Sequence, residues 1–179
     1  MVKRAFDLTA ALILSVLLAV PAAILMLLIR LDSPGPAIFR QERLGKNGKP
    51  FMILKLRSMR LDAEKNGPRW AERNDSRCTR LGSFLRRSRL DELPQLWNIL
   101  HGEMSFVGPR PERAYFYDQF EKTIPGFRNR LAVIPGLTGL AQVNGGYDLS
   151  PDQKIVFDMK YIENCCVGMD LSCMPRPTN

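Results

Sequence analysis

No charged residue falls between Leu8 and Ile29, and only Thr9 and Ser15 in that run are polar. As one straight helix the run would reach about 33 Å, roughly the hydrocarbon thickness of a bilayer. Lys3 and Arg4 precede it and "AVPAA" loosely resembles a leader cleavage site, but the apolar run continues through "ILMLLI", which a cleaved leader does not need. The run therefore reads as a retained membrane anchor. Lys3 and Arg4 sit at one end, and between Arg30 and Arg60 eight Lys/Arg face two acids, Asp32 and Glu42. Basic flanks mark the cytoplasmic side, so both ends are assigned to the same side. Pro21 removes one helical N–H and clashes with the carbonyl four residues back. Two shapes fit these residues: a helix that enters, breaks near Pro21 and returns, or a single span kinked at Pro21.

The chain has 179 residues, enough for one modest domain with its own core. A net charge of +8 points to an anionic partner: nucleic acid, acidic lipid or a phosphorylated substrate. The sole histidine, His101, argues against a His-rich metal site or a Ser/His/Asp triad. Cys78, Cys165, Cys166 and Cys173 lack CxxC spacing and read as reduced thiols facing the cytoplasm.

Beyond the anchor, "DSPGP" forms a stiff turn. "AIFRQERL" and "PFMILKLRSM" flank "GKNGK", in which Asn47-Gly48 supplies the positive φ of a tight hairpin. Residues 60–76 read as a polar surface loop with room for a short helix. Thr79 is placed to cap a helix through Arg87, with Leu81, Phe84 and Leu85 on one face. Lying on an anionic membrane, such a helix gains about 1 kcal/mol per basic residue. Leu93, Leu96, Trp97 and Leu100 predict the next helix. "SFVGPRPE" reads as a rigid loop, "RAYFYDQFEKTI" as a helix ending before Pro125, and "IPGLTGLAQVNGG" as a glycine-rich loop. Ser150, Pro151 and Gln153 open a well-marked helix with a capping box. The tail "SCMPRPTN" has no periodicity.

Two adjacent acids, Asp91 and Glu92, follow five arginines in "RCTRLGSFLRRSRLDELPQ". Pro94 fits only the first turn of a helix, which puts Asp91 at its start. There a carboxylate can cap free N–H groups, and the same environment would keep it ionised as a nucleophile must be. The residues alone leave cap and reaction centre both open. A carboxylate attacking a diphosphate meets repulsion of about 4 kcal/mol per charge pair at 4 Å and a dielectric of ~20. Arg86, Arg87 and Arg89 stand near enough in sequence to offset it, and a bridging Mg²⁺ would do more. Arg110, fixed between Pro109 and Pro111, is suited to bidentate phosphate binding, though a structural turn explains it equally well. Lys55 and Arg57 share one face at the end of the second strand, where a solvated face is the simpler reading. The glycines of "LTGLAQVNGG" permit close backbone approach to a ligand, as they would in any tight loop.

In combination, "KRAFD", "SPGPAIFRQERLGKNGKPFMILKLRSM", "LRRSRLDELPQLWNILHGEMSFVGPRPE" and "PGLTGLAQVNGG" resemble the small monotopic phosphoglycosyl transferases, the bacterial sugar transferase family. The resemblance runs from about Lys3 to about Asp170. It implies an α+β, mainly helical fold: a re-entrant membrane helix over residues 1–31, a cytoplasmic-face catalytic domain over 32–179, a small β-hairpin and membrane-surface amphipathic helices. It implies transfer of a phospho-sugar from a UDP-sugar to a polyprenol phosphate such as undecaprenyl phosphate, with release of UMP. That is the first membrane step of glycoconjugate assembly, at the cytoplasmic face of the bacterial inner membrane. Asp91 is then the nucleophile, carrying a covalent phospho-sugar and contacting Mg²⁺, with Glu92 its dyad partner. Lys55, Arg57, Arg86 and Arg110 correspond to substrate-phosphate contacts, Gln142 and Asn144 to a substrate loop, and Pro21 to the break of a re-entrant helix.

Val20-Pro21 stands where members often have Ser-Pro, and Ile134 and Gly146 stand where many carry basic residues. The tail departs as well, since members usually continue as an amphipathic helix, and weaker membrane attachment or activity is the expectation there. The implied partners are the UDP-sugar, the polyprenol phosphate and anionic lipid, without nucleic acid. Two alternatives belong to other classes: a membrane-anchored polyanion-binding protein and a membrane diphosphate hydrolase. The sugar, the pathway and the oligomeric state stay open.

Overall fold

The computed structural model describes residues 2–65, 67, 69–70 and 75–174. The apolar run forms two helices, α1 (Val2–Leu17) and α2 (Ala19–Asp32), bent by 60°. The break falls at Leu18, with Pro21 in the first turn of α2. The proline ring obstructs the carbonyl four residues back, which is that of Leu17, so α1 stops there. Among the described residues no single helix is long and apolar enough to cross a bilayer; the bent pair together meets that measure. Leu12, Val16, Val20, Leu27 and Leu31 stand exposed along it, which in water would leave a continuous oily ridge.

The polar start of α1 is fastened to the rest of the chain. Arg4 donates to the carbonyls of Ile99 (2.6 Å) and Leu100 (3.0 Å), at the end of a helix described below. Asp7 is buried and accepts from the Phe106 N–H at 3.2 Å. Lys3 pairs with Asp170 at 2.7 Å. The flanking charges thus serve as internal ties.

The expected hairpin is present: β1 (Ile38–Leu44) runs antiparallel to β2 (Pro50–Leu56), with Lys55 opposite Phe39. Asn47 and Gly48 both take positive φ in the connection. Residues 61–65 are turns, and no helix occurs among the described part of 60–76. Thr79 caps α3 (Arg80–Arg87) by accepting from the Gly82 N–H at 2.9 Å. Arg89 then takes a left-handed φ of 59°, reversing the chain into a tight 3-10 turn over Leu90–Glu92. Helix α4 (Gln95–His101) follows.

Asn98 of α4 clips the free edge of β2: its Oδ1 accepts from the Leu54 N–H and its amide donates to the Met52 carbonyl and to Glu103. These bonds use both amide N–H groups and satisfy backbone groups that a two-stranded sheet would leave bare.

Both segments expected to be loops contain strands. β3 (Ser105–Val107) pairs in parallel with β4 (Gly136–Thr138), and α6 (Leu140–Val143) follows, while α5 (Ala114–Thr123) lies between the strands. The glycines here serve backbone contact. A Cβ on Gly136 would lie 2.1 Å from the Gly108 N, and one on Gly139 would lie 2.2 Å from the Gly108 O.

Helix α7 (Pro151–Asn164) opens as expected, with the Gln153 side chain accepting from the Ser150 N–H at 3.0 Å. A further helix, α8 (Val167–Cys173), was not foreseen, and residues 175–179 of the tail lie outside the described residues. The main core packs Ala11, Ile53, Ile99, Met104 and Val107 together, and a second cluster seats Leu25, Met26 and Ile29 of α2 on Leu85 and Leu90.

Candidate active site

A cavity of about 430 Å³ opens between the hairpin, α3 and the segments around Arg110 and Gln142. Twelve Lys/Arg and three Asp/Glu line it among the described residues, a balance that selects an anionic ligand. Asp91 is one of the three acids; Glu92 is not among the lining residues. The left-handed turn at Arg89 thus sends two neighbouring carboxylates to different surroundings.

Glu92 is buried and held by cations. Arg110 donates to its Oε1 at 2.5 Å, and the Lys55 ammonium lies 3.7 Å from the same oxygen. Burial alone would raise its pKa, but Arg110 and Lys55 outweigh that and bring it down to about 2. Glu92 is therefore a fixed anion that sets the positions of two cations.

Asp91 is also buried, yet among the described residues none donates a hydrogen bond to its carboxylate. Burial, aided by the charge of Glu92, raises its pKa against the pull of Lys55, Arg110 and Arg86. Both halves of the cap reading are corrected. No side-chain cap bond forms at the Leu90–Glu92 turn or at the start of α4, where Pro94 takes the capping position. The surroundings do not favour the ionised carboxylate either, because burial outweighs the neighbouring cations. Lys55 is shifted downward, first by burial and then by repulsion from Arg110.

Of the expected phosphate contacts, Lys55, Arg86 and Arg110 line the cavity close to Asp91. Arg86 donates to Cys78 Sγ at 3.2 Å and lies 3.9 Å from Asp75. Arg57 touches the cavity, but its guanidinium is committed elsewhere. It donates to the carbonyls of Ile29, Ser33 and Pro34, at the end of α2. It lies one residue past the end of β2, so the alternation that paired it with Lys55 no longer applies. Gln142 lines the cavity, whereas the exposed Asn144 donates back to the Leu140 carbonyl of its own helix at 2.8 Å. The four cysteines are free thiols.

Several residues that build the site carried no sequence signal strong enough to single them out. Arg43 donates to Glu112 (2.8 Å) and to the Pro111 carbonyl (3.2 Å). From the other side Arg130, paired with buried Asp158 at 2.6 Å, donates to the Arg110 carbonyl at 3.1 Å. The Pro109–Pro111 loop is thus held by partners far away in sequence, which no local pattern reveals. Glu112, next to Pro111, was the nearest available hint. Trp70 and Phe116 add an aromatic wall, with ring centroids 4.9 Å apart.

The bacterial sugar transferase family matches residues 1–178. The chain belongs to that family. This sugar transferase is 55% identical over 131 residues to a Bacillus subtilis (strain 168) protein named as a candidate undecaprenyl-phosphate N-acetylgalactosaminyl 1-phosphate transferase, the match covering 73% of each chain. It is 44% identical to a UDP-glucose:undecaprenyl-phosphate glucose-1-phosphate transferase of Caulobacter vibrioides (strain ATCC 19089 / CIP 103742 / CB 15), over 97% of this chain and 67% of that one. It is 43% identical to a UDP-N-acetylgalactosamine-undecaprenyl-phosphate N-acetylgalactosaminephosphotransferase of Aeromonas hydrophila, over 95% of this transferase but only 41% of the relative. The transferase therefore spans less than half the length of that third relative.

Proposed function

We propose that the protein transfers a sugar-1-phosphate from a UDP-sugar to undecaprenyl phosphate at the cytoplasmic face of a bacterial cell membrane. One observation carries the reading: Asp91 alone of the dyad faces the basic cavity, while Glu92 stays behind it, pinned to Arg110 and Lys55. The names of the relatives support the substrate classes.

In the first step an Asp91 carboxylate oxygen attacks the phosphorus bonded to the sugar. The bond from that phosphorus to the oxygen bridging it to the uridine phosphate breaks, and UMP leaves. In the second step an oxygen of undecaprenyl phosphate attacks the same phosphorus. Its bond to Asp91 then breaks, which yields the polyprenyl-diphospho-sugar and restores the carboxylate. Lys55 and Arg110, set by Glu92, hold the phosphate oxygens and offset the repulsion against Asp91.

A Mg²⁺ ion fits this donor set. Mg²⁺ is commonly held by one or two carboxylates together with substrate phosphates, and Asp91 offers one carboxylate without a donor among the described residues. When bound, it supplies further neutralisation of the diphosphate charge. The bent pair α1–α2 enters the bilayer and returns, with α3 on the membrane surface, and so brings Asp91 to the lipid acceptor.

The test is intact-protein mass spectrometry in nanodiscs with Mg²⁺ and either UDP-N-acetylgalactosamine or UDP-glucose, without acceptor. A phospho-sugar mass on the Asp91 peptide and UMP release that needs undecaprenyl phosphate for turnover are expected. Asp91→Asn is expected to remove the adduct and lower turnover by about 10³-fold or more. Steady UMP release without acceptor would instead indicate hydrolysis. An unmodified Asp91 during normal turnover would exclude the covalent route.

A further inference from the structure

Arg89 is unlike the other cations of the cavity. Among the described residues it shares positive φ outside glycine only with Asn47, a residue type that tolerates that region. A left-handed arginine is strained relative to glycine, and such outliers cluster at functional sites. Arg60, Arg69 and Arg89 are the exposed cations of the lining among the described residues, and of these Arg89 stands two positions from Asp91 in the chain.

Its position relative to the apolar surface is also distinctive. Leu90, the next residue, joins the same apolar cluster as Leu25, Met26 and Ile29 of α2, and Phe84 on α3 is exposed. Arg89 thus lines the basic cavity directly beside a residue of the apolar cluster that seats α2. Lys55 and Arg110 act on Asp91 from the hairpin and the Pro109–Pro111 loop, where Glu92 sets their positions.

We infer that Arg89 binds the phosphate of the lipid acceptor at the membrane-side entrance of the cavity, apart from the cations that hold the donor diphosphate. The inference rests on the transferase reading. The incoming lipid monophosphate must approach an Asp91-bound phospho-sugar that is itself anionic. A cation on the entry side offsets that repulsion and orients the attacking oxygen toward the phosphorus, whose bond to Asp91 then breaks.

The two half-reactions separate the roles. Arg89→Gly suits the backbone and removes the charge, so the variant is expected to fold at least as well as the parent; Arg89→Lys keeps the charge. In nanodiscs of fixed lipid composition, Arg89→Gly is expected to form the Asp91 adduct at the parent rate. Its KM for undecaprenyl phosphate should rise about tenfold or more, with Arg89→Lys recovering most of the loss. Flotation with vesicles of 30 mol% phosphatidylglycerol should be unchanged, which distinguishes the acceptor phosphate from general headgroup binding.

Slowed adduct formation would place Arg89 on the donor side and overturn the inference, as would an unchanged acceptor KM. Loss of flotation in step with activity would reassign it to the membrane surface. A parent protein that forms no adduct with either nucleotide sugar overturns the transferase reading, and the inference with it.

Discussion

At the scale of single residues, the site separates two adjacent carboxylates by environment. Asp91 has its pKa raised by burial and by its neighbour, so protonation silences it at a higher pH than it would an unperturbed aspartate. The acid limb of kcat/KM, which reports the free enzyme, is expected above the pKa of 3.8 taken for an unperturbed aspartate. A limb at or below that value would contradict the assignment. Glu92 behaves oppositely. Its folded pKa lies at about 2 against 4.5 when unperturbed, so its stabilising contribution is complete above about pH 4.5 and fades as pH falls toward 2. Glu92→Gln leaves Lys55 and Arg110 facing each other without their anion, and breaking such a buried pair typically costs about 3–5 kcal/mol. The melting temperature of Glu92→Gln should fall, and added UDP-sugar should raise it by more than it raises the parent, because its phosphates replace the missing charge.

At the scale of elements, Asn98 couples the two halves of the site, because it joins α4, which follows the dyad, to β2, which carries Lys55. Asn98→Ala leaves the Leu54 N–H and Met52 carbonyl without that partner, a loss of about 1–3 kcal/mol per unsatisfied group. A lower urea midpoint together with a higher KM for UDP-sugar is the expected result. The hairpin, the Thr79 cap and the opening of α7 were legible in the sequence because each depends on residues only a few positions apart. β3 and β4 were not, since each spans three residues and joins its partner across some thirty positions. Their glycines looked like room for a ligand, whereas another backbone fills the space; Gly136→Ala should accordingly prevent normal folding, as read by loss of the cooperative thermal transition. In the site, Asp91, Glu92 and Arg110 stood out in one dense block of charge and proline, whereas Lys55 read from its strand alone as a solvated face. Arg57 and Asn144 were misplaced because strand and loop periodicity says nothing about where a side chain turns after the element ends.

At the scale of the whole molecule, the proposed re-entrant topology turns on the 60° bend between α1 and α2. Pro21→Ala restores the missing N–H and lets α1 and α2 merge toward one helix. With Val2→Cys as a reporter, an impermeant thiol reagent added outside intact cells should label the Pro21→Ala protein more than the parent. Equal labelling would show that the ties of Lys3, Arg4 and Asp7 fix the topology without the proline. Those ties also bear on the order of assembly. Arg4 reaches its partners 95 and 96 positions later, and Lys3 reaches Asp170 after 167. During synthesis α1 leaves the ribosome well before α8, and it cannot complete its contacts until α8 has emerged. In the proposed re-entrant topology the bilayer hosts α1 and α2 while the fold is unfinished, and the Lys3–Asp170 tie, which closes 167 positions, then completes it.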